Sequence, residues 1–196
     1  MIAYLKGKLV RKEPAFVIID VGGIGYQVLI SLHTFSSIKD REDITLLTVL
    51  VVREDAHLLY GFATAVEKQM FQHLVSVNGV GPGTAIMVLS SMPPDDLRHA
   101  IIRGDTPSLQ AVKGIGAKTA QRLILELADK LKREGAETTG PAADTGYNTI
   151  RNEALSALMT LGISRAAAEK SIEAILKKSG NTLSLEELVK IALKNA

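Results

Sequence analysis

The sequence predicts a multidomain α+β protein, and three observations carry that prediction. The first 63 residues hold five short apolar runs separated by turn signals, as strands do. From Val66 to Arg133 the apolar spacing becomes helical, and one phrase occurs twice, at Leu74 and again 35 residues later at Leu109. A stretch without large apolar groups then separates this region from three more short helical patterns.

Candidate strands are Ile2 to Val10, Phe16 to Val21, Tyr26 to Ile30, Ile44 to Arg53 and Leu58 to Phe62. Glu13-Pro14, Gly22-Gly23, Lys39-Asp40 and Glu54-Asp55 supply the turns, and Leu32 to Ile38 is long enough for a turn of helix. Five strands with that interruption predict a small OB-type barrel over residues 1–63. Gly22-Gly23-Ile24-Gly25 follows an apolar run but precedes another strand, so it is a hairpin turn rather than a dinucleotide fingerprint.

Residues 64–134 are the helical domain built on the duplication. Leu74/Leu109, Val77/Val112, Gly79/Gly114, Val80/Ile115, Gly81/Gly116, Thr84/Thr119 and Ala85/Ala120 match outright or by a Val/Ile swap. Each copy is a helix, a tight turn and a second helix, which makes the pair a tandem helix-hairpin-helix. Gly79 and Gly114 suit positive φ at the end of the first helix, while Gly81 and Gly116 let another backbone approach. Val80 and Ile115 turn inward as plugs. The turn hands free N–H groups to the start of the next helix, whose dipole welcomes an anion such as a nucleic-acid phosphate. Such contacts read no base, so binding should depend on shape and salt. Candidate contacts are Asn78, Gly79, Val80, Gly81, Pro82 and Gly83 in the first copy. In the second they are Lys113, Gly114, Ile115, Gly116, Ala117, Lys118 and Arg122. Lys118 and Arg122, four residues apart, share a helix face.

Residues 135–148 lack periodicity and predict a flexible linker with a root-mean-square span of roughly 20 Å. Three helices follow over 149–196, near Thr149 to Leu161, Ser164 to Lys178 and Ser184 to Asn195. Gly162 and Gly180 stop the first two, and Ser184 with Glu187 forms a capping box for the third. So small a UBA-like bundle carries more apolar groups than it can hide. It either docks a partner or completes the main core.

Composition excludes several classes. The formal net charge of the 196 residues is +2. Residues 64–134 hold nine basic and seven acidic groups, whereas each flanking segment holds seven of both. There are no cysteines, which rules out disulfides and thiolate zinc sites and allows a reducing compartment. His33, His57, His73 and His99 show no metal-ligand spacing. Gly116-Ala117-Lys118-Thr119 lacks the glycine directly before lysine that a P-loop requires, so ATP hydrolysis is not expected. Neither a signal peptide nor an apolar run of about 18 residues occurs, and a cytoplasmic protein is expected, with no membrane association.

Val21-Gly22-Gly23-Ile24-Gly25-Tyr26, Val52-Arg53-Glu54-Asp55-Ala56, Leu59-Tyr60-Gly61-Phe62, Asn78-Gly79-Val80-Gly81-Pro82 and Gly114-Ile115-Gly116 together resemble the RuvA family of Holliday-junction branch-migration proteins, over essentially the whole chain. The resemblance implies a homotetramer, or two stacked ones, holding four-way junction DNA in an open square by the minor-groove backbones of its arms. It implies a RuvB-type ATPase as motor, to which ATP and magnesium belong, and a RuvC-type resolvase on the same platform. The chain itself is then a non-catalytic subunit with no catalytic residue, metal or cofactor of its own. The resemblance further implies a mobile C-terminal domain, with Leu158, Leu161 and Ile163 matching the ATPase contact.

Glu54-Asp55 match the family's acidic pin, although a charged hairpin tip is the plain reading of the residues alone. Carboxylates gathered at the junction centre would repel phosphates over about 8 Å at physiological salt, separating strands without adding affinity. One departure stands out: Gly83 occupies a place where the family's first turn usually carries lysine. The linker is also short for the family. Two rivals use the same turns. A nuclease would need convergent carboxylates for metals and a lyase a lysine poised near an aspartate, and Glu54-Asp55 and Lys113/Asp129 lack such companions. A protein-binding adaptor would bind DNA without salt sensitivity.

Overall fold

A computed structural model describes residues 1–138, 145–179 and 183–195. The chain divides into two compact units, Met1–Thr138 and Thr139–Ala196.

The first unit opens with a closed barrel of strands β1 (Tyr4–Glu13), β2 (Phe16–Val21), β3 (Ile24–Ile30), β4 (Asp43–Val52) and β5 (His57–Phe62), in the order β1-β2-β3-β5-β4. All neighbours are antiparallel except β3 and β5, which run parallel. Alternating residues, Val17 and Ile19, Val28 and Ile30, Ile44 and Leu46, point inward and fill the barrel. So narrow an interior leaves no room at Gly61, where an added Cβ would lie 2.5 Å from Val28 Cγ1. The first strand runs past the expected end at Val10 to Glu13. A register shift between Leu9 and Arg11 lets it bend and keep pairing with β2.

Helix α1 (Leu32–Ile38), capped by Ser31, bridges β3 and β4 as expected. The helical part follows with α2 (Ala65–Ser76), α3 (Pro82–Ser91), α4 (Pro94–Arg103), α5 (Thr106–Gln110) and α6 (Ala117–Thr138). The expected boundary at 63/64 falls between β5 and α2, yet the side chains cross it. Tyr60 and Phe62 leave the barrel's outer face to pack on Phe71, with ring centroids 5.1 and 4.9 Å away. Burial of such rings welds barrel and helices into one unit.

Two expectations for the linker change. Helix α6 continues through Gly135 to Thr138, and α7 begins at Thr145 rather than 149. Ala136 and Glu137 are strong helix formers, so one glycine near the end of a long helix costs only about 1 kcal/mol. The rest of the expected linker, 139–144, lies outside the described residues.

The second unit consists of α7 (Thr145–Thr160), α8 (Arg165–Ser179) and α9 (Leu185–Asn195). Its core, Ala154, Leu158, Ala168, Ile172, Ile175, Leu188 and Ala192, comes from its own three helices. Gly162 takes φ +93° after α7. The capping box closes on α9, with the Glu187 N–H donating to Ser184 Oγ at 3.3 Å and the Ser184 N–H to Glu187 Oε2 at 3.1 Å. The expected stop at Gly180 lies outside the described residues.

Candidate nucleic-acid interface

The sequence repeat is also a repeat of hydrogen bonds. In the first turn the Val77 N–H donates to the Leu74 carbonyl at 3.1 Å, Val80 to Val77 at 3.1 Å and Ala85 to Gly81 at 2.9 Å. In the second, Val112 donates to Leu109 at 3.3 Å, Ile115 to Val112 at 3.1 Å and Ala120 to Gly116 at 2.9 Å. Gly79 and Gly114 both sit at φ +93°, a conformation that a side chain would strain. Val80 and Ile115 are buried plugs, 4% and 5% exposed. A Cβ built on Gly79, Gly81, Gly83 or Gly116 meets nothing within 4 Å, so the face they present is open to an incoming backbone.

What each turn offers differs. The first intrahelical bond of α6 is made by the Ala120 N–H, which leaves the N–H groups of Ala117, Lys118 and Thr119 free for an anion. Helix α3 offers only those of Gly83 and Thr84, because Pro82 has none, and no side chain caps Gly81. Cations are unequal too. Lys113, Lys118 and Arg122 occupy positions that Asn78, Gly83 and Met87 hold in the first copy.

The two copies brace each other. The Arg122 Nη1 donates to the Asn78 carbonyl at 3.1 Å, so a cation of the second hairpin sits on the turn of the first. Its counterpart Met87 reaches back, its Cε 3.3 Å from where a Cβ on Gly114 would stand. Asn78, Gly79, Lys118, Thr119, Gln121 and Arg122 thereby line one groove of about 350 Å³. Arg122 also lies 3.7 Å from Glu126, leaving Lys118, exposed and in no ion pair among the described residues, as the groove's free cation. Lys113 is exposed on its own turn and is not part of this lining. The sharing of Arg122 was hidden from the sequence, whose only signal was the i,i+4 spacing to Lys118.

Glu54 and Asp55 stand exposed at the tip between β4 and β5, where the Arg53 N–H donates to the Ala56 carbonyl at 2.8 Å. Neither forms an ion pair among the described residues. Below them, burial pushes the Tyr60 hydroxyl above its ordinary pKa, partly offset by the charge of Arg53. In the second unit Leu158 is fully buried, Leu161 is 61% exposed and Ile163 is half-buried against the core. Met159 and Leu193, which the sequence did not single out, are exposed apolar groups of the same bundle. Among the described residues no group of His, Cys, Asp or Glu is arranged to hold a metal, and no helix is long and apolar enough to cross a membrane.

A closed barrel carrying two matched hairpins with outward N–H groups defines a DNA-binding protein of the tandem helix-hairpin-helix class. Residues 1–61 match the model of the RuvA N-terminal domain, 71–129 that of the SAM-like helix-hairpin-helix tandem, and 149–196 that of the RuvA C-terminal domain. Over 99% of both chains it is 52% identical to the Holliday junction branch migration complex subunit RuvA of Cytophaga hutchinsonii. The subunits of the same name from Amoebophilus asiaticus, 48% identical over 99% of this chain and 100% of that one, and Christiangramia forsetii, 47% over 99% of both, are similar along their whole length. The chain belongs to the RuvA family.

Proposed function

We propose that this chain is the DNA-binding subunit that recognises four-way Holliday junctions, holds them open and square, and supports a RuvB-type ATPase in branch migration during recombination and repair. The observation that carries the proposal is the pair of turns with matched hydrogen bonds and an open glycine face. N–H groups at helix starts grip phosphates without reading bases, which suits a junction whose sequence changes at every migration step. Asn78 to Pro82 with Gly83, and Lys113 to Lys118 with Arg122, form the grip.

A homotetramer, alone or as two stacked ones, supplies a grip for every arm. The free carboxylates of Glu54 and Asp55 act as the pin at its centre, repelling phosphates and parting strands. The chain performs no hydrolysis; ATP and magnesium belong to the motor, which docks on the C-terminal bundle through Leu161 and its neighbours. Leu158 supports that surface from the core and Ile163 from its edge. A RuvC-type resolvase shares the platform, and the assembly works in the cytoplasm.

The test is a mobility-shift titration of a synthetic four-way junction against a linear duplex of equal length, at two salt concentrations with magnesium. The expected result is strong preference for the junction, weakened by salt, with uncut DNA. Equal binding to both would leave a general repair factor, cleavage would restore the nuclease rival, and salt-insensitive binding would favour an adaptor.

A further inference from the structure

Glu67 is fully buried, lies in the first turn of α2 and forms no ion pair among the described residues. A polar side chain so placed needs hydrogen-bond partners on both oxygens. Ser31 Oγ donates to Oε1, and Thr34 Oγ1 donates to Oε2 at 2.6 Å. Both hydroxyls are themselves buried, and each also accepts a backbone N–H. That of Thr34 donates to Ser31 Oγ at 3.0 Å and that of Ala63 to Thr34 Oγ1 at 3.1 Å. Each hydroxyl proton is thus directed to the Glu67 side chain, one at each of its two oxygens. The neighbouring Leu32 N–H continues the joint to α3, donating to Ser90 Oγ at 3.1 Å.

The groups joined in this way are the end of β3, the start of α1, the end of β5 and the start of α2, where the chain passes from the barrel into the helical part beside the packing of Tyr60 and Phe62 on Phe71. Two levers of similar length leave it. Strand β5, six residues, leads back to the acidic tip over about 20 Å at 3.3 Å per residue. Helix α2, twelve residues, leads to the first hairpin over about 18 Å at 1.5 Å per residue. A slack of about 5° at such a root moves a tip 20 Å away by about 2 Å.

We propose that Glu67 is a positioning residue that fixes the acidic tip relative to the first DNA-gripping hairpin. The proposal rests on the junction-binding function above for its consequence, but the geometry can be tested without DNA. The chain has no cysteine, so His57→Cys and Gln72→Cys, both at exposed positions, accept a pair of spin labels. Diluting the labelled chain in an excess of unlabelled chain confines the measured distance to one protomer.

Four backgrounds are compared by pulsed dipolar spectroscopy and by branch migration with a RuvB-type ATPase: wild type, Glu67→Gln, Thr34→Val and Thr34→Ser. Expected is one narrow distance in wild type and Thr34→Ser, and a distribution broader by about 2 Å in Glu67→Gln and Thr34→Val. Migration by those two should slow by at least about tenfold, within the roughly 100-fold that a misplacement of about 1 Å can cost an acting group, while their affinity for linear duplex stays unchanged.

Valine keeps the volume of threonine and serine keeps its hydroxyl, so a role in packing alone would reverse the ranking of the Thr34 variants and overturn the proposal. Wild-type width in both Thr34→Val and Glu67→Gln would also overturn it, as would broadening with normal migration. Should Glu67→Gln fail to fold, the two Thr34 variants decide alone. Failure of the junction function itself is read separately, in a wild-type chain that does not prefer the junction.

Discussion

Gly83→Lys restores to the first hairpin the cation that its twin carries at Lys118. Nothing lies within 4 Å of a Cβ at Gly83, and the residue is not at positive φ, so the side chain enters without strain. Replacing glycine inside α3 gains about 1 kcal/mol of helix propensity, while a cation in the first turn of a helix loses about 0.3–1 kcal/mol. Stability therefore changes little, and the effect is confined to binding. Each new phosphate contact adds about −0.9 to the slope of log K against log salt. With the four first hairpins of the proposed tetramer engaged, the slope steepens by about 3.6, and between about 50 and 200 mM salt the variant loses about 150-fold more affinity than wild type. Fluorescence anisotropy of a labelled four-way junction across a salt series measures this directly, with Gly83→Gln as the uncharged control and Lys118→Ala as the mirror, flattening the slope by a similar amount. A slope untouched by Gly83→Lys but flattened by Lys118→Ala would refute the claim that the first turn meets a phosphate.

Ile115→Ala empties the plug of the second turn and costs about 2–5 kcal/mol in urea denaturation of the full chain. Glu54→Gln with Asp55→Asn keeps or tightens junction affinity in anisotropy while altering the migration rate, and markedly weaker binding would count against a repulsive pin. Leu161→Asp, at an exposed position, shifts the thermal midpoint by less than about 0.5 kcal/mol equivalent and abolishes coupling to the ATPase, whereas Leu158→Ala costs the bundle about 2–5 kcal/mol. Asp105 accepts from the Ser108 N–H and hydroxyl, which hold its pKa below the ordinary 3.8. Its contribution is therefore complete above that value and is lost as pH falls through the depressed one, so wild type and Asp105→Asn should converge in denaturation experiments only in strong acid.

The features visible in the sequence were those set by neighbours along the chain. Glycines at 79 and 114, plugs at 80 and 115, and the hairpin turns at 22–23 and 54–55 are local, and the structure places them as their spacing predicts. The extension of β1 beyond Val10 depends on a register shift against β2, a cross-strand matter that alternation within one strand does not encode. Leu158 and Leu161 lie three residues apart and would share a face of one continuous helix, but α7 ends at Thr160, so Leu158 reaches the core while Leu161 stands in the turn and is left to solvent. The Glu67 joint was the least visible. Thr64 and Glu67 have capping-box spacing, but the carboxylate turns instead to hydroxyls more than 30 residues away, and serine or threonine at 31 and 34 carries no mark of that partnership.

A net charge of +2 is small for a DNA-binding chain, and the geometry explains why it suffices. In the grip proposed above, binding rests on backbone N–H groups and helix dipoles, which contribute no formal charge, with a few cations at the second hairpin. Placing those cations on one copy would leave the hairpins unequal, but Arg122 crosses to the Asn78 carbonyl and brings positive charge to the weaker turn. The pair thus behaves as one surface. Modest charge also limits non-specific affinity for linear duplex, most of which is electrostatic, so under the proposed function discrimination falls to the spatial relation of hairpins and acidic tip. On the proposed reading, a protein that selects a DNA shape in this way needs accurate geometry more than it needs strong attraction, and that requirement is what the proposed positioning role of buried, doubly hydrogen-bonded Glu67 would serve.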